Sequence, residues 1–254
     1  MRLLASLVAA VALANPSSYL QSQQQSDGGW SSPQMTAWAA IGLRAAGADT
    51  GGALAYLVAH ESELSKPTDV ALAAVAEAAL GRDPQQLLAR LPAKPDAVNA
   101  AVWQIFAWRQ SGRPVPRTLV RYVRASQARN GGFPWARGVA PDSNLTAWSV
   151  QALRASGVTG KPIARALAFI RTLQAPDGGF RLVRGRPPDA QSTALVIQAF
   201  VAAGVRPPAK AFAFLGKLRR PDGSYRYSRA YATTPVWVTA QVLPALVRKA
   251  LPLD

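Results

Sequence analysis

In this chain of 254 residues, five carboxylates stand on or near alanine-rich stretches where an acid could work: Asp69, Glu77, Asp96, Asp142 and Asp189. Paired carboxylates suit glycoside hydrolysis, and a single well-placed one suits proton delivery. Asp69 and Glu77, eight residues apart, would stand about two turns apart along one helix face. A carboxylate on a buried helix is costly unless paired or hydrated, so Glu77 is expected either to act or to meet water or an arginine. A second set of side chains is polar and uncharged. Gln34, Thr68, Asn99, Asn144 and Gln191 each stand two residues before the aligned Thr position of a repeated pattern, and Trp237 takes that place in the last copy. Such groups donate and accept hydrogen bonds without fixed charge. Trp38, Trp103, Trp148 and Trp237 lie nearby in sequence and could line an apolar wall, so the whole set reads as a ligand site or as helix caps over a core. There is no cysteine and one histidine, His60. Thiolate zinc sites, cysteine nucleophiles and a histidine-rich metal centre are therefore excluded or unsupported, and no metal is expected.

The elements that must position these residues follow from a repeat. Four segments agree over twelve positions: Tyr19 to Trp30, Tyr122 to Phe133, Phe169 to Phe180 and Phe214 to Tyr225. In each, an aromatic is followed by Gln (Arg once), then by Asp or Asn with glycine, then by a second aromatic. A second block, twelve residues from Thr to Gly, recurs as Thr36 to Gly47, Thr146 to Gly157 and Thr193 to Gly204. Val70 to Gly81 and Ala101 to Gly112 keep the spacing without the Thr, and a sixth copy begins at Thr239. Such a period means stacked helical hairpins. They are expected at 16–47, 52–81, 84–112, 115–157, 161–204 and 208–250. Each glycine after a helix suits a left-handed cap, and the Asp-Gly-Gly turns suit a side chain bonding its own backbone.

Six hairpins can close into a ring that leaves no apolar face uncovered. The second helices are apolar nearly all round and form the inner ring. The first helices carry Arg117, Arg121, Arg124, Arg165 and Arg171, which makes them the outer ring. The 29 Lys and Arg against 13 Asp and Glu give a formal charge of +16, which points to anionic surroundings and otherwise spreads over a solvated face. At the start, Met1-Arg2, the apolar run Leu3 to Ala14 and the small pair Ala12 and Ala14 read as a secretory signal cleaved after Ala14. Asn15 before Pro16 reads as a helix start. Residues 15–254 are then expected to be a single domain outside the cytoplasm.

The Gln-x2-Asp-Gly-Gly-aromatic pattern resembles the QW motif of squalene–hopene cyclases. The Thr-Ala-Trp blocks resemble prenyltransferase/squalene-oxidase repeats, over essentially the whole mature chain. The resemblance implies an all-α (α/α)6 toroid, also used by protein prenyltransferase β-subunits and by the cobalamin carriers intrinsic factor and transcobalamin. It implies that Gln24, Gln127 and Gln174 lie against Trp30, Phe133 and Phe180 and tie the outer helices to the next turn. Class II cyclases need Asp-x-Asp-Asp ahead of Thr-Ala, and the middle Asp protonates an alkene. Here the stretches run from Asp142 to Ala147 and from Asp189 to Ala194, with Asn144 and Gln191 at the donor position. Neither amide is a Brønsted acid. Such cyclases also commonly have two domains, whereas this chain has a single toroid.

The expectation is accordingly an exported, non-catalytic carrier that binds a small molecule at the mouth of the ring, with a corrinoid or other bulky amphipathic ligand as guest. It would work with a membrane transporter or a separate capping chain, and without nucleic acid, since no nucleic-acid-binding motif is visible. The alternative is a terpene cyclase/mutase-type enzyme with a displaced acid among Asp69, Asp142 and Asp189, Glu77 being a fourth candidate. A third reading is a basic interaction scaffold using Arg181, Arg184 and Arg186 on a Gly/Pro-rich loop.

Overall fold

The computed structural model describes residues 15–253. The proposed signal segment lies outside the described residues. Twelve helices occur among them, alternating short outer and long inner. The outer ones are α1 (Pro16–Ser22), α3 (Ala53–Ala59), α5 (Gln85–Ala89), α7 (Arg117–Ala125), α9 (Lys161–Arg171) and α11 (Ala209–Leu218). The inner ones are α2 (Pro33–Ala45), α4 (Pro67–Ala79), α6 (Val98–Gln110), α8 (Ser143–Ala155), α10 (Ala190–Ala202) and α12 (Pro235–Leu246). A single 3-10 turn, Glu61–Glu63, follows α3. Each expected hairpin holds one outer and one inner helix.

The inner helices pack in sequence order, α2 on α4 on α6 on α8 on α10 on α12, and α12 returns to α2. The ring is closed, so the fold is the all-α toroid. Burial follows from composition: α10 is buried from Ala190 through Phe200, whereas α7 buries only Leu119 and Val123 and exposes its arginines. The closing seam needs one small residue. A Cβ added to Gly42 of α2 would stand 2.6 Å from the carbonyl oxygen of Ala240 on α12, so the two backbones meet there.

The two repeated blocks are one device. The hydroxyl of Thr36, Thr146, Thr193 and Thr239 accepts the backbone N–H of Trp30, Phe133, Phe180 and Tyr225 respectively, at 2.8 to 2.9 Å. Each aromatic turn is thereby fastened to the inner helix that follows it. Val70 and Ala101 stand where no such turn precedes, and there the hydroxyl is absent. Gln24 Nε2 donates to Gly28 O of its own turn and to Thr50 O ahead of the next outer helix. Gln127 Nε2 does the same to Gly131 O and Pro162 O. The turn also touches the next outer helix directly. Gly178 has φ of 95°, and a Cβ there would lie 2.4 Å from Lys210 O on α11.

Asn15 caps α1 as its sequence predicts, its Oδ1 accepting from Ser17 N at 2.8 Å. At the far end, the chain after α12 crosses the C-terminal ends of the inner helices. Leu251 N donates to Gln151 Oε1 (2.9 Å), and Gln110 exchanges two hydrogen bonds with the backbone of Leu253. Leu251 and Leu253 are buried, so this strap covers that end of the ring.

Candidate active site

The opposite end, where the inner helices begin, is built from helix starts and three rim loops. Two short hairpins stand there: β1 (Phe133–Pro134) with β2 (Pro141–Asp142), and β3 (Phe180–Arg181) with β4 (Pro188–Asp189). The first N–H groups of a helix have no partner inside it. The rim loops supply partners by reaching back to the preceding inner helix. Asn99 N donates to Trp135 O, Ser143 N to Leu182 O and Ala190 N to Tyr227 O, at 2.8 to 3.2 Å.

Asp142 and Asp189 are the N-caps of α8 and α10. Asp142 Oδ1 accepts from Leu145 N at 2.8 Å, and Asp189 Oδ1 from Ser192 N at 2.7 Å. Asp189 Oδ2 also accepts the Ser192 hydroxyl at 2.8 Å. The two differ in solvation. Asp142 is partly exposed, and burial raises its carboxyl pKa against the pull of hydrogen bonds from Leu145 and Asn144. Asp189 is only 3% exposed, and burial pushes its carboxyl up to about 6, against hydrogen bonds from Ser192 and Gln191 that favour the ionised form. Tyr227 is close enough that the Asp189 charge, after burial, raises its phenol.

One turn into the ring, the aligned positions two residues after each Thr position hold Trp38, Leu72, Trp103, Trp148, Leu195 and Gln241. The three tryptophans meet. Trp38 and Trp148 lie 22° from parallel with centroids 6.3 Å apart, and Trp103 is edge-on to Trp38 at 5.3 Å and steeply inclined to Trp148 at 5.5 Å. On the inner helices, Trp148 Nε1, Asn99 Oδ1 and both amide atoms of Gln241, whose residue is 1% exposed, are buried polar atoms with no partner among the described residues. An unpartnered buried polar group costs about 1–3 kcal/mol, so these atoms favour a polar guest or water beside the indoles.

The remaining predicted residues divide. Gln34 and Asp69 meet across α2 and α4, with Gln34 Nε2 donating to Asp69 Oδ2 at 3.2 Å. Thr68 and Asn144 are partly buried at the starts of α4 and α8, where the Ser143 hydroxyl bonds Asn144 Oδ1, while Gln191 is buried. Trp237 packs at the edge of the main core and is not part of the tryptophan cluster. Glu77 is not brought to Asp69. It is fully buried near the opposite end of α4, paired with Arg82, which also holds Glu61. Burial first, and then the Glu61 charge, raise its carboxyl to about 7 against the opposing pull of Arg82. Sequence reasoning missed Gln241, Ser192 and Tyr227. Alignment of Thr239-Ala240-Gln241 on Thr36-Ala37-Trp38 would have found the first.

No protein-family model and no curated protein matches the sequence. Among solved structures the chain is similar to the type II terpene cyclase MstE from Scytonema, with a TM-score of 0.69 and 15% identity over 91% of this chain and 95% of that one. It is also similar to a protein from Actinoplanes (TM-score 0.68, 18% identity, 92% and 97% covered). A third match is ent-copalyl diphosphate synthase from Streptomyces platensis (TM-score 0.60, 17% identity), where 85% of this chain spans 50% of that one. The fold is thus an α/α toroid like that of these terpene cyclases. MstE has been solved with geranylgeranyl dihydroxybenzoate as substrate and merosterolic acid A as product. These findings overturn the expectation of a non-catalytic carrier and favour the enzyme alternative. They also correct the objection from length, because a single toroid almost coextensive with this chain is a type II cyclase.

Proposed function

We propose that the chain is a terpene cyclase/mutase-type enzyme that protonates an alkene of an isoprenoid substrate, with Asp189 as the acid. The observation that carries this reading is the buried Asp189 carboxyl, pushed up to about 6 at the rim of a ring that gathers three indoles. An ordinary carboxyl, with its pKa near 4, is ionised at neutral pH and holds no proton to give. Asp142 is the second candidate acid and is less buried. The four aromatic turns act as QW motifs in this reading, a role supported by the hydrogen bonds of Gln24 and Gln127.

In the reaction, the Asp189 proton bonds to one alkene carbon with the π electron pair and leaves a cation on the other. A neighbouring alkene of the same substrate supplies the next electron pair, and loss of a proton from carbon ends the sequence, so the product is an isomer. The faces of Trp38, Trp103 and Trp148 attract positive charge that develops beside them. The Ser192 hydroxyl, bonded to Asp189 Oδ2, is placed to help return a proton to the carboxylate. We also propose that the enzyme works outside the cytoplasm, on the reading of residues 1–14 as an export signal. Incubation with squalene and with geranylgeranyl dihydroxybenzoate, followed by mass spectrometry, tests the reaction. An isomeric product that disappears with Asp189→Asn is expected. Absence of any isomer, or full turnover by Asp189→Asn, would overturn the proposal.

A further inference from the structure

The last turns of three inner helices carry arginine at equivalent repeat positions, eight residues after the Thr position: Arg44, Arg109 and Arg154. Two of them bond the neighbouring inner helix at its C-terminal end. Arg44 Nε donates to Ala79 O at 2.9 Å and Arg154 Nε to Ala202 O at 3.1 Å. Arg109 makes no such bond among the described residues. It opens instead onto a cleft of about 860 Å³ between α6, α7 and the end of α8.

Arg117, Arg121 and Arg124 line the same cleft from α7. Their spacing puts them on one helix face, where like charges four apart repel. No Asp or Glu lines the cleft, and none of the four arginines has a carboxylate partner among the described residues. Val115 and Val120 supply apolar surface between the charged groups. Four guanidinium forks over a hydrocarbon floor complement a compact polyvalent anion joined to an apolar chain. Phosphate geometry matches such forks in a two-pronged way that a single point charge does not. An extended polyanion such as a nucleic acid would call for a long track, which a cleft of this volume is not.

We infer that this cleft binds a soluble phosphate monoester of an apolar alcohol. It lies at the C-terminal end of the inner helices, opposite Asp142 and Asp189, and so does not rest on the catalytic reading.

Calorimetric titration of the purified chain with octyl phosphate tests the inference. Binding should be tighter than for inorganic phosphate and should weaken with added salt. Arg117→Gln/Arg121→Gln should lower octyl phosphate affinity about tenfold or more, since it removes two guanidinium forks from the anion. Arg109→Gln alone should lower it less. Arg184→Gln/Arg186→Gln removes equal charge from the β3–β4 loop and should leave affinity unchanged. These exposed positions allow the fold of each variant to be verified by its thermal melt. Equal weakening in both double variants would overturn the inference by revealing unspecific charge attraction. So would octyl phosphate binding no tighter than inorganic phosphate. Binding confined to phosphatidic acid vesicles would overturn it in favour of a membrane headgroup.

Discussion

Gly42 and Ala240 touch backbone to backbone where the first inner helix meets the last, and the ring closes on that contact. A methyl group at Gly42 would have to displace a main-chain carbonyl rather than a flexible side chain. Gly42→Ala should therefore destabilise the chain by about 1–3 kcal/mol, despite the helix propensity gained. Gly216 in α11 is the comparison, since a Cβ there meets nothing within 4 Å. Gly216→Ala should stabilise by about 0.5–1 kcal/mol. Urea denaturation of both variants checks the pair, and equal signs would refute the account of the seam.

Asp189 has two roles that substitution can separate. Asparagine retains a cap oxygen for Ser192 N but carries no transferable proton. Above about pH 6, where the buried parent carboxylate is ionised, Asp189→Asn should be at least as stable as the parent while losing turnover. Asp189→Ala should also lose turnover and be about 1 kcal/mol less stable than Asp189→Asn, because it lacks the cap. Parallel melting and product assays decide the matter, and a catalytically competent Asp189→Asn would remove Asp189 from the mechanism.

The protonation state of the same group sets the expected pH profile. Asp189 gives its proton only while it holds one, so turnover should fall as pH rises through about 6. Initial rates between pH 5 and 8, at saturating substrate, measure this. A profile that rises across the interval would mean that the essential group acts as a base.

The Glu77–Arg82–Glu61 cluster gives a pH-dependent stability. The Glu77 pKa is raised in the folded chain from 4.5 to about 7, so the folded state binds more protons than the unfolded one between these values. Stability through this site is then greatest at low pH and falls as pH rises from about 4.5 through about 7, by about 3 kcal/mol. Arg82→Leu would leave the buried carboxylate without its partner. The loss at pH 8 should reach about 3–5 kcal/mol and shrink at pH 5, where Glu77 is neutral. Glu77→Leu, the residue found at the aligned Leu43 and Leu153, should stabilise the chain at pH 8. Denaturant midpoints at the two pH values test all three statements.

The toroid was legible because its determinants are side chains at fixed spacing within each block. Phe180 and Thr193 hold the same places in their blocks as Trp30 and Thr36, although the two pairs are thirteen and six residues apart, because in each pair the hydroxyl bonds the aromatic residue's backbone. The site was only partly legible. Asn144 and Gln191 lack an acidic proton by their residue type, but Asp189 is buried where β4 ends, and the chain that bonds the next residue, at Tyr227, comes nearly forty residues later. Backbone bonds such as Ala190 N to Tyr227 O leave no mark on residue type. Glu77 showed the converse: its carboxylate was conspicuous in an apolar helix, but the arginine that holds it lies beyond the helix end. Sequence weight on the missing donor also favoured a carrier, which the structural comparisons reversed.

The meeting of Trp38, Trp103 and Trp148 has an optical consequence. Indoles at centroid separations of 5.3 to 6.3 Å, two of them nearly parallel, share their electronic excitation instead of absorbing as independent chromophores. Their near-ultraviolet dichroism and emission should respond when a guest settles against any one ring. The chain therefore carries an intrinsic spectroscopic gauge of occupancy, readable without a label and in variants that cannot turn over.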